Sequence, residues 1–597
     1  MENTHTFGNE TPSIIGYAQA NFETLIVDKN IYIDRTGYIR AIENHSNRNL
    51  LFVRPRRFGK SLWVSILHYY YGVQHKDKFE TLFGHLAIGK NPTPLRNSYL
   101  ILTFKFTKVD DEKDKSILSG FRQNVLTGIT DCMKAYPSYF SATEIAEMDT
   151  IEVPAHLIQK FFSLYKGKNI PHKLYLLIDE YDQFANELIE HDTENFKAII
   201  AKLGFVPKFY EMIKNAAYEG IVNRFFATGV SPLTVDALTS GFNITSSLAL
   251  DIDFHDLMGF KQAEVVYILQ KIGVSEAEMS SILADLKDWY DGYLFNDRAE
   301  EPLYNSDMVM YFASHYEKRK EYPEKMLDAN IATDYFKVKK IFNIQQREQE
   351  FIPVLKQLTT EGELRAKITD FFNLERAFYE NDLISLLYYM GWITIKSYEE
   401  GLYNFQMPNQ VIKELYYNYF VDIIEQETGL NRTVEKIEAA LSELARNNNP
   451  HPFLDIIKVL LEQDLSFRDA QGFDEKHVKM LLIPYLSLSA SHYVQSEPEW
   501  QNGYPDILFL KRPNIETRYN FIIELKYIKQ TDRHKRVNPK DKTSEKLLAK
   551  VQREARTQLE NYLKTDNAKR TKNLKAWVLV LVGREWKIVE EVPIGLN

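Results

Sequence analysis

Apolar and polar positions change rhythm several times along the chain. Asn49-Leu50-Leu51-Phe52-Val53, Lys173-Leu174-Tyr175-Leu176-Leu177-Ile178 and Arg224-Phe225-Phe226-Ala227 carry short unbroken apolar runs. Such runs predict strands buried on both faces, and helices between them predict a parallel sheet. From about Asp253 the apolar positions recur at three- and four-residue spacing, over Ala263–Lys271 and Ala277–Tyr290, which predicts a helical lid. Asp382–Trp392 continues as a helix pattern, and Ile393-Thr394-Ile395 with Leu402-Tyr403-Asn404-Phe405 predicts a hairpin, together a winged-helix-like element. Tyr388, Tyr389 and Trp392 look like core rather than a recognition surface. The segment 410–470 is helical in pattern and is broken by the loop Asn447-Asn448-Asn449-Pro450. Near the end, a helix pattern over Asp474–Leu486 precedes two apolar strands, Gly503–Phe509 and Phe521–Lys526. A charged amphipathic helix, Gln552–Tyr562, and a closing strand, Ala576–Val582, follow.

These changes divide the 597 residues into segments 1–255, 256–345, 346–470 and 471–597, in line with a length that calls for about four domains. The expected class is multidomain α/β. A hydrophobic fraction of 44% and a charged fraction of 26% are those of globular protein. The single cysteine, Cys132, excludes an internal disulfide framework and fits a reducing cytoplasm. The start, Met1–Pro12, is polar, and no apolar run reaches the length of a membrane span, so no membrane partner is expected. A net charge of -9 argues against nucleic acid until its distribution is considered. From Lys511 onward, about 21 basic residues stand against about 11 acidic ones. Arg533, Lys535 and Arg536 lie in the densest part, an electrostatic footprint for a polyanion.

Two stretches carry chemistry. The first strand leads into Arg54-Pro55-Arg56-Arg57-Phe58-Gly59-Lys60-Ser61 and then into a helix, which is the context of a P-loop. Arg57, Phe58 and Gly59 would shape the loop, Lys60 would reach the β- and γ-phosphates of ATP, and Ser61 would hold Mg²⁺. Arg54 stands where the motif's first glycine is expected. The second strand ends in Asp179-Glu180, a Walker B pattern. Asp179 would assist the Mg²⁺ and Glu180 would polarise the attacking water. Thr228 or Ser231, at the end of the third strand, could sense the γ-phosphate, and Arg56, Arg57 and Arg224 are candidates for an arginine that promotes hydrolysis. The second stretch is Pro505-Asp506 with Glu524-Leu525-Lys526. In a strand, Glu524 and Lys526 share one face. Two carboxylates beside a lysine can hold Mg²⁺, or Mn²⁺, over a phosphodiester.

The second set resembles the PD-(D/E)XK nuclease superfamily, with a restriction-endonuclease-like α/β/α fold. That resemblance makes Asp506 and Glu524 metal ligands with Lys526 catalytic. It implies a further acid from the preceding helix, Glu475, with Glu497 or Glu499 as alternatives. Gln558 and Tyr562 are similar to a Gln-x-x-x-Tyr helix whose glutamine contacts DNA or orients the site, which makes both of them candidate nucleic-acid contacts. The whole chain resembles an AAA-ATPase-like family that bacteria fuse to such a nuclease. The matching stretches are Tyr32-Ile33-Asp34-Arg35-Thr36, the Arg-Pro-Arg-Arg-Phe-Gly-Lys-Ser loop, Leu177–Asp182, Thr228–Leu233, Trp289-Tyr290-Asp291-Gly292-Tyr293 and Leu303-Tyr304-Asn305. In that family Arg at the position of Arg54 is typical. The resemblance implies a P-loop ATPase of the ASCE/AAA type and, by analogy with such ATPases, a homo-oligomer as a candidate assembly. The expected function is ATP-regulated, metal-dependent cleavage of DNA. The alternative is a nucleotide-dependent switch whose C-terminal domain binds nucleic acid or a partner without cutting. A serine hydrolase at Ser231 lacks a second glycine and a His–Asp pair.

Overall fold

The unbroken apolar runs become a parallel sheet, and their successive side chains are all buried, so both faces of the sheet are covered. The structure is a computed structural model describing residues 15–106, 117–183, 204–231, 244–328, 348–369, 379–428, 433–462, 474–513, 515–529 and 542–594. Strands β1 (Asn49–Val53), β2 (Tyr99–Lys105), β3 (Lys173–Asp179), β4 (Val222–Gly229) and β5 (Ser246–Ser247) stand in the order β2-β3-β4-β1-β5. All the neighbours are parallel. Strand β4 therefore lies between the strand that feeds the Gly-Lys-Ser loop and the strand that ends in Asp-Glu. Ligands of such sheets sit at the carboxyl ends of the strands, where both motifs fall.

By its internal contacts the chain forms two compact units, Met1–Glu350 with Arg365–Gln410, and Phe351–Leu364 with Val411–Asn597. In the first unit, helices Gln262–Lys271, Glu276–Tyr290 and Ser306–Arg319 follow the sheet. The chain then makes the short strand β6 (Glu363–Ala366), helix Glu380–Tyr389, and the hairpin of β7 (Thr394–Glu399) and β8 (Leu402–Gln406). Its turn, Glu400-Gly401, has positive φ at both residues, 52° and 81°, the geometry that matches strand twist. The expected helix-and-wing is thus present. Tyr388, Tyr389 and Trp392 are buried, so this helix spends its aromatics on core. The backbone at Gly391 (φ +80°) lies so close to the loop after β1 that an added Cβ would sit 2.7 Å from Pro55. Trp289, Tyr290 and Tyr293 are also buried, and Tyr290 donates to the Met326 carbonyl at 2.7 Å, so that cluster is packing.

The second unit is built on a mixed sheet, β13-β12-β11-β10-β9. Its strands are β9 (His492–Ser496), β10 (Ile507–Lys511), β11 (Asn520–Ile528), β12 (Leu574–Val582) and β13 (Glu585–Val592). Only the β11–β12 pair is parallel. Alternation along the strands makes two cores. Phe521, Ile523 and Leu525 pack with helix Glu475–Ser487 and with side chains from the helices of 410–462. Ile522, Ala576, Val578 and Val580 pack with Ala555, Leu559 and Tyr562 of helix Lys542–Leu563. The result is an α/β/α layering. The boundary expected at 470 does not separate two cores, because Tyr417, Ile437, Leu441 and Ile457 share one core with β10 and β11.

Candidate functional site

Gly59 adopts φ 95°, open to glycine without strain, and turns the loop into helix Lys60–Tyr71. No side chain caps that helix, so its first-turn amides are available to an anion. Arg54 has left the loop altogether. Its guanidinium lies over the Phe52 and Phe295 rings, 4.4 and 4.1 Å from their centroids. It donates to the carbonyls of Val53, Ala249 and Phe254 at 3.0, 2.8 and 3.0 Å. The missing glycine is thereby explained: the position faces core, not phosphate. Lys60 is buried and curls back, donating to the Arg54 and Pro55 carbonyls at 3.0 and 2.9 Å. Burial pushes its ammonium down to about 8, against the pull of Glu180, Asp182 and Asp179.

Asp179 is buried at the end of β3 and accepts the Thr228 hydroxyl at 2.9 Å, so Thr228 orients this carboxylate. Glu180 follows in left-handed backbone (φ 57°), and burial, then Asp179, pushes it up to about 7. Asp182, at the end of the same motif stretch, accepts Val230 N–H at 3.0 Å and Ser231 N–H at 2.7 Å, fixing the end of β4. Ser231 Oγ is spent on the same carboxylate. A cavity of about 530 Å³ opens over these groups, lined by Arg56, Arg57, Gly59, Lys60, Ser61 and Glu180 and by apolar Ala18, Ile33, Trp63 and Met258. That volume suits a nucleotide. Arg57 forms an ion pair with Asp307 at 3.4 Å. Ser306 Oγ and Asp307 N–H both donate to the Arg57 carbonyl. The start of helix Ser306–Arg319 is thus seated on the loop, with Asn305 as its cap. Arg224 is a correction. It sits near the beginning of β4, buried, with its guanidinium on the carbonyls of Ile42 and Glu43, so it cannot serve a site at the other end of the strand.

In the second unit the antiparallel register pairs Ile507 with Ile523, which carries Asp506 alongside Glu524. Asp506 Oδ2 accepts the Leu525 N–H at 2.8 Å. Lys526 Nζ lies 2.9 Å from Glu524 Oε1, 3.0 Å from the Leu525 carbonyl, 3.6 Å from Asp506 Oδ2 and 3.9 Å from Glu475 Oε1. Burial would depress this lysine, but Asp506, Glu524 and Glu475 hold it above the usual range. Glu524 is 2% exposed, and burial, then Asp506, pushes it up to about 7. Among the described residues its Oε2 has no hydrogen-bond partner. An ammonium ringed by oxygens, beside a buried carboxylate oxygen left open, is a donor set suited to a hard divalent cation. Glu475 faces the lysine from the first turn of its helix. Among the described residues, however, no three acidic or histidine side chains converge as they stand on one metal position, because Lys526 occupies their midst.

Comparison with known families gives the kind of domain in which each of these constellations lies. The family model described as a predicted AAA-ATPase matches residues 16–239, and the model of the PD-(D/E)XK nuclease superfamily matches 473–591. The chain joins an AAA-ATPase-like domain to a PD-(D/E)XK nuclease superfamily domain. No curated protein matches the sequence. Among solved structures, a Walker-type ATPase of Pyrococcus abyssi is similar over 64% of this chain and 94% of its own, at 11% identity and a TM-score of 0.35.

Within the nuclease-superfamily domain some expected residues take other parts. Tyr562 is buried and donates to the Tyr504 carbonyl at 3.1 Å, bracing the turn before Asp506 instead of presenting a surface. Gln558, one turn earlier, is exposed. Glu497 accepts Lys479 at 2.7 Å. Part of the basic character of this segment is matched within the domain, as Arg556 and Lys550 of helix Lys542–Leu563 pair with Glu560, Glu590 and Glu554, and Lys575 of β12 pairs with Glu591. Arg533, Lys535 and Arg536 lie outside the described residues. Lys479 is the group that motif reasoning missed. It is buried, from the helix that carries Glu475, and donates to Asp506 Oδ1 at 2.6 Å. Its spacing of four from Glu475 was the available signal.

Proposed function

We propose that the chain binds and hydrolyses ATP in the first unit and cleaves DNA in the second with a divalent ion, the nucleotide state controlling the cutting. The observation that carries the nuclease half is the grouping of Asp506, Glu524 and Lys526 around one point, with a Glu524 oxygen left open. Mg²⁺ or Mn²⁺ held by Asp506 and Glu524 would polarise the phosphodiester and activate a water. Lys526, kept charged by its acidic neighbours, would orient that water or steady the charge that develops on the phosphate. Tyr562 keeps the Tyr504-Pro505-Asp506 turn in place. Exposed Gln558 and the basic segment around Arg533 are the contacts proposed for the polyanion.

In the ATPase-like domain, Lys60 would exchange two neutral carbonyl partners for the β- and γ-phosphates. Ser61 and Asp179 would hold Mg²⁺, with Thr228 orienting Asp179. Glu180, poised near neutral pH, would accept the proton of the attacking water. Arg56, on the cavity wall, would be an arginine that acts on phosphate, and a second copy could supply another. Helix Ser306–Arg319, seated on the loop, would report nucleotide binding. No described helix is long and apolar enough to cross a membrane. Buried Cys132 suits the cytoplasm proposed for the protein.

The test is cleavage of supercoiled and linear plasmid DNA by the full chain with Mg²⁺ or Mn²⁺, with and without ATP. Cutting lost in Glu524→Ala and altered by ATP only while Lys60 is present supports the proposal. Cutting indifferent to Lys60→Ala removes the control. ATP binding without cutting of any nucleic acid would favour the non-cleaving switch.

A further inference from the structure

Resting on the nuclease reading, we propose that Lys479 is a positioning residue that fills a second cation position beside Asp506, so that the site takes one divalent ion and not two. Lys479 lies one helical turn after Glu475 and is 4% exposed. A buried ammonium persists only when it is paired, and this one is paired twice, with Asp506 Oδ1 at 2.6 Å and Glu497 Oε1 at 2.7 Å.

Asp506 is therefore gripped on both sides. Its Oδ1 faces Lys479, and its Oδ2 takes the Leu525 N–H and faces Lys526. The side toward Lys526 opens onto Glu524 and its unpartnered oxygen. The side toward Lys479 is closed by Glu497, whose own N–H donates to the Asp506 carbonyl at 3.2 Å. A second ion on the Oδ1 side of Asp506 would need the oxygens of Asp506 and Glu497 that Lys479 already holds. Charge points the same way. Glu475, Glu497, Asp506 and Glu524 face two ammonium groups, which leaves two negative charges when all are ionised, the charge of one divalent ion.

The experiment is a count of Mn²⁺ by calorimetry on the full chain without nucleotide, alongside the dependence of plasmid cleavage on Mn²⁺ concentration. The wild type is expected to bind one ion that Glu524→Ala abolishes. Lys479→Ala should bind two, and the slope of log rate against log Mn²⁺ should rise from near one to near two. Lys479→Arg should restore one. A merely structural lysine would lower activity without changing count or slope. Two Glu524-dependent ions in an active wild type overturn the proposal, as does one ion with unchanged slope in Lys479→Ala. Should that variant not fold, the wild-type count alone can overturn it. Cleavage absent from the wild type together with Glu524-dependent Mn²⁺ binding would instead sink the nuclease reading, and this proposal with it.

Discussion

Buried and half-buried lysines serve both units, and they are held in opposite ways. Lys60 rests on two neutral carbonyls, and burial lowers its hold on a proton. Lys526 and Lys479 rest on carboxylates, which more than cancel the effect of burial. The first arrangement leaves a positive charge uncommitted at the mouth of a nucleotide-sized cavity, where it can be spent on an anion. The second commits the positive charge and leaves an acidic surplus, a donor set suited to a hard divalent cation. Residue type says little about which ligand a site awaits, and the partners of that residue say a great deal.

The sharpest way to break this comparison is to remove one acid. Glu524→Ala should lower metal-dependent cleavage by about a thousandfold, since a misplaced metal costs several kcal/mol, while ATP binding measured by calorimetry stays as it was. Lys60→Ala should do the reverse. It should weaken ATP by about a hundredfold, the scale of lost charge-assisted hydrogen bonds, and leave Mn²⁺ binding in the second unit unchanged. Gly391→Val should press on Pro55 and strain a positive φ, weakening ATP by about tenfold in a fluorescence titration without touching the nuclease residues.

Acid provides a subtler contrast. Burial depresses His68 to about 3, His75 and His255 to about 4 in the first unit, and His492 to about 4 in the second. A histidine depressed in the folded state gives up stability as pH falls from its unfolded value near 6.5 toward its folded value, at about 1.4 kcal/mol per pH unit for a fully buried group. The first unit should therefore lose melting temperature faster than the second between pH 6.5 and 4, read by calorimetry of the full chain. The smallest expected effect is that of Tyr562→Phe. Loss of its bond to the Tyr504 carbonyl is worth about 1 kcal/mol, or about fivefold in cleavage.

What was legible in the sequence was whatever depends on neighbours along the chain. Unbroken apolar runs gave the parallel strands, and the two-residue spacing of Glu524 and Lys526 put them on one face. The helix and hairpin at 380–406 were legible for the same reason. What escaped depends on partners far away in sequence. Arg224 looked free until the carbonyls of Ile42 and Glu43 were found on it. Tyr562 looked like a surface group until Tyr504 met its hydroxyl. Asp182 and Lys479 show their parts only through residues dozens of positions away. The net basic charge of the last segment was real in sum, but acids on the same helix and on β13 absorb part of it.

Arg54 has a consequence for where the nucleotide-binding machine ends. The family match closes at residue 239, yet the carbonyls that grip Arg54 belong to Ala249 and Phe254, and one of its two ring platforms is Phe295. A fragment trimmed to the match would keep every letter of the Gly-Lys-Ser motif and lose the rivet that shapes the loop. The smallest portable version of this loop therefore extends to at least Phe295. Its loop is only half specified by its own segment, with the other half written some two hundred residues further on.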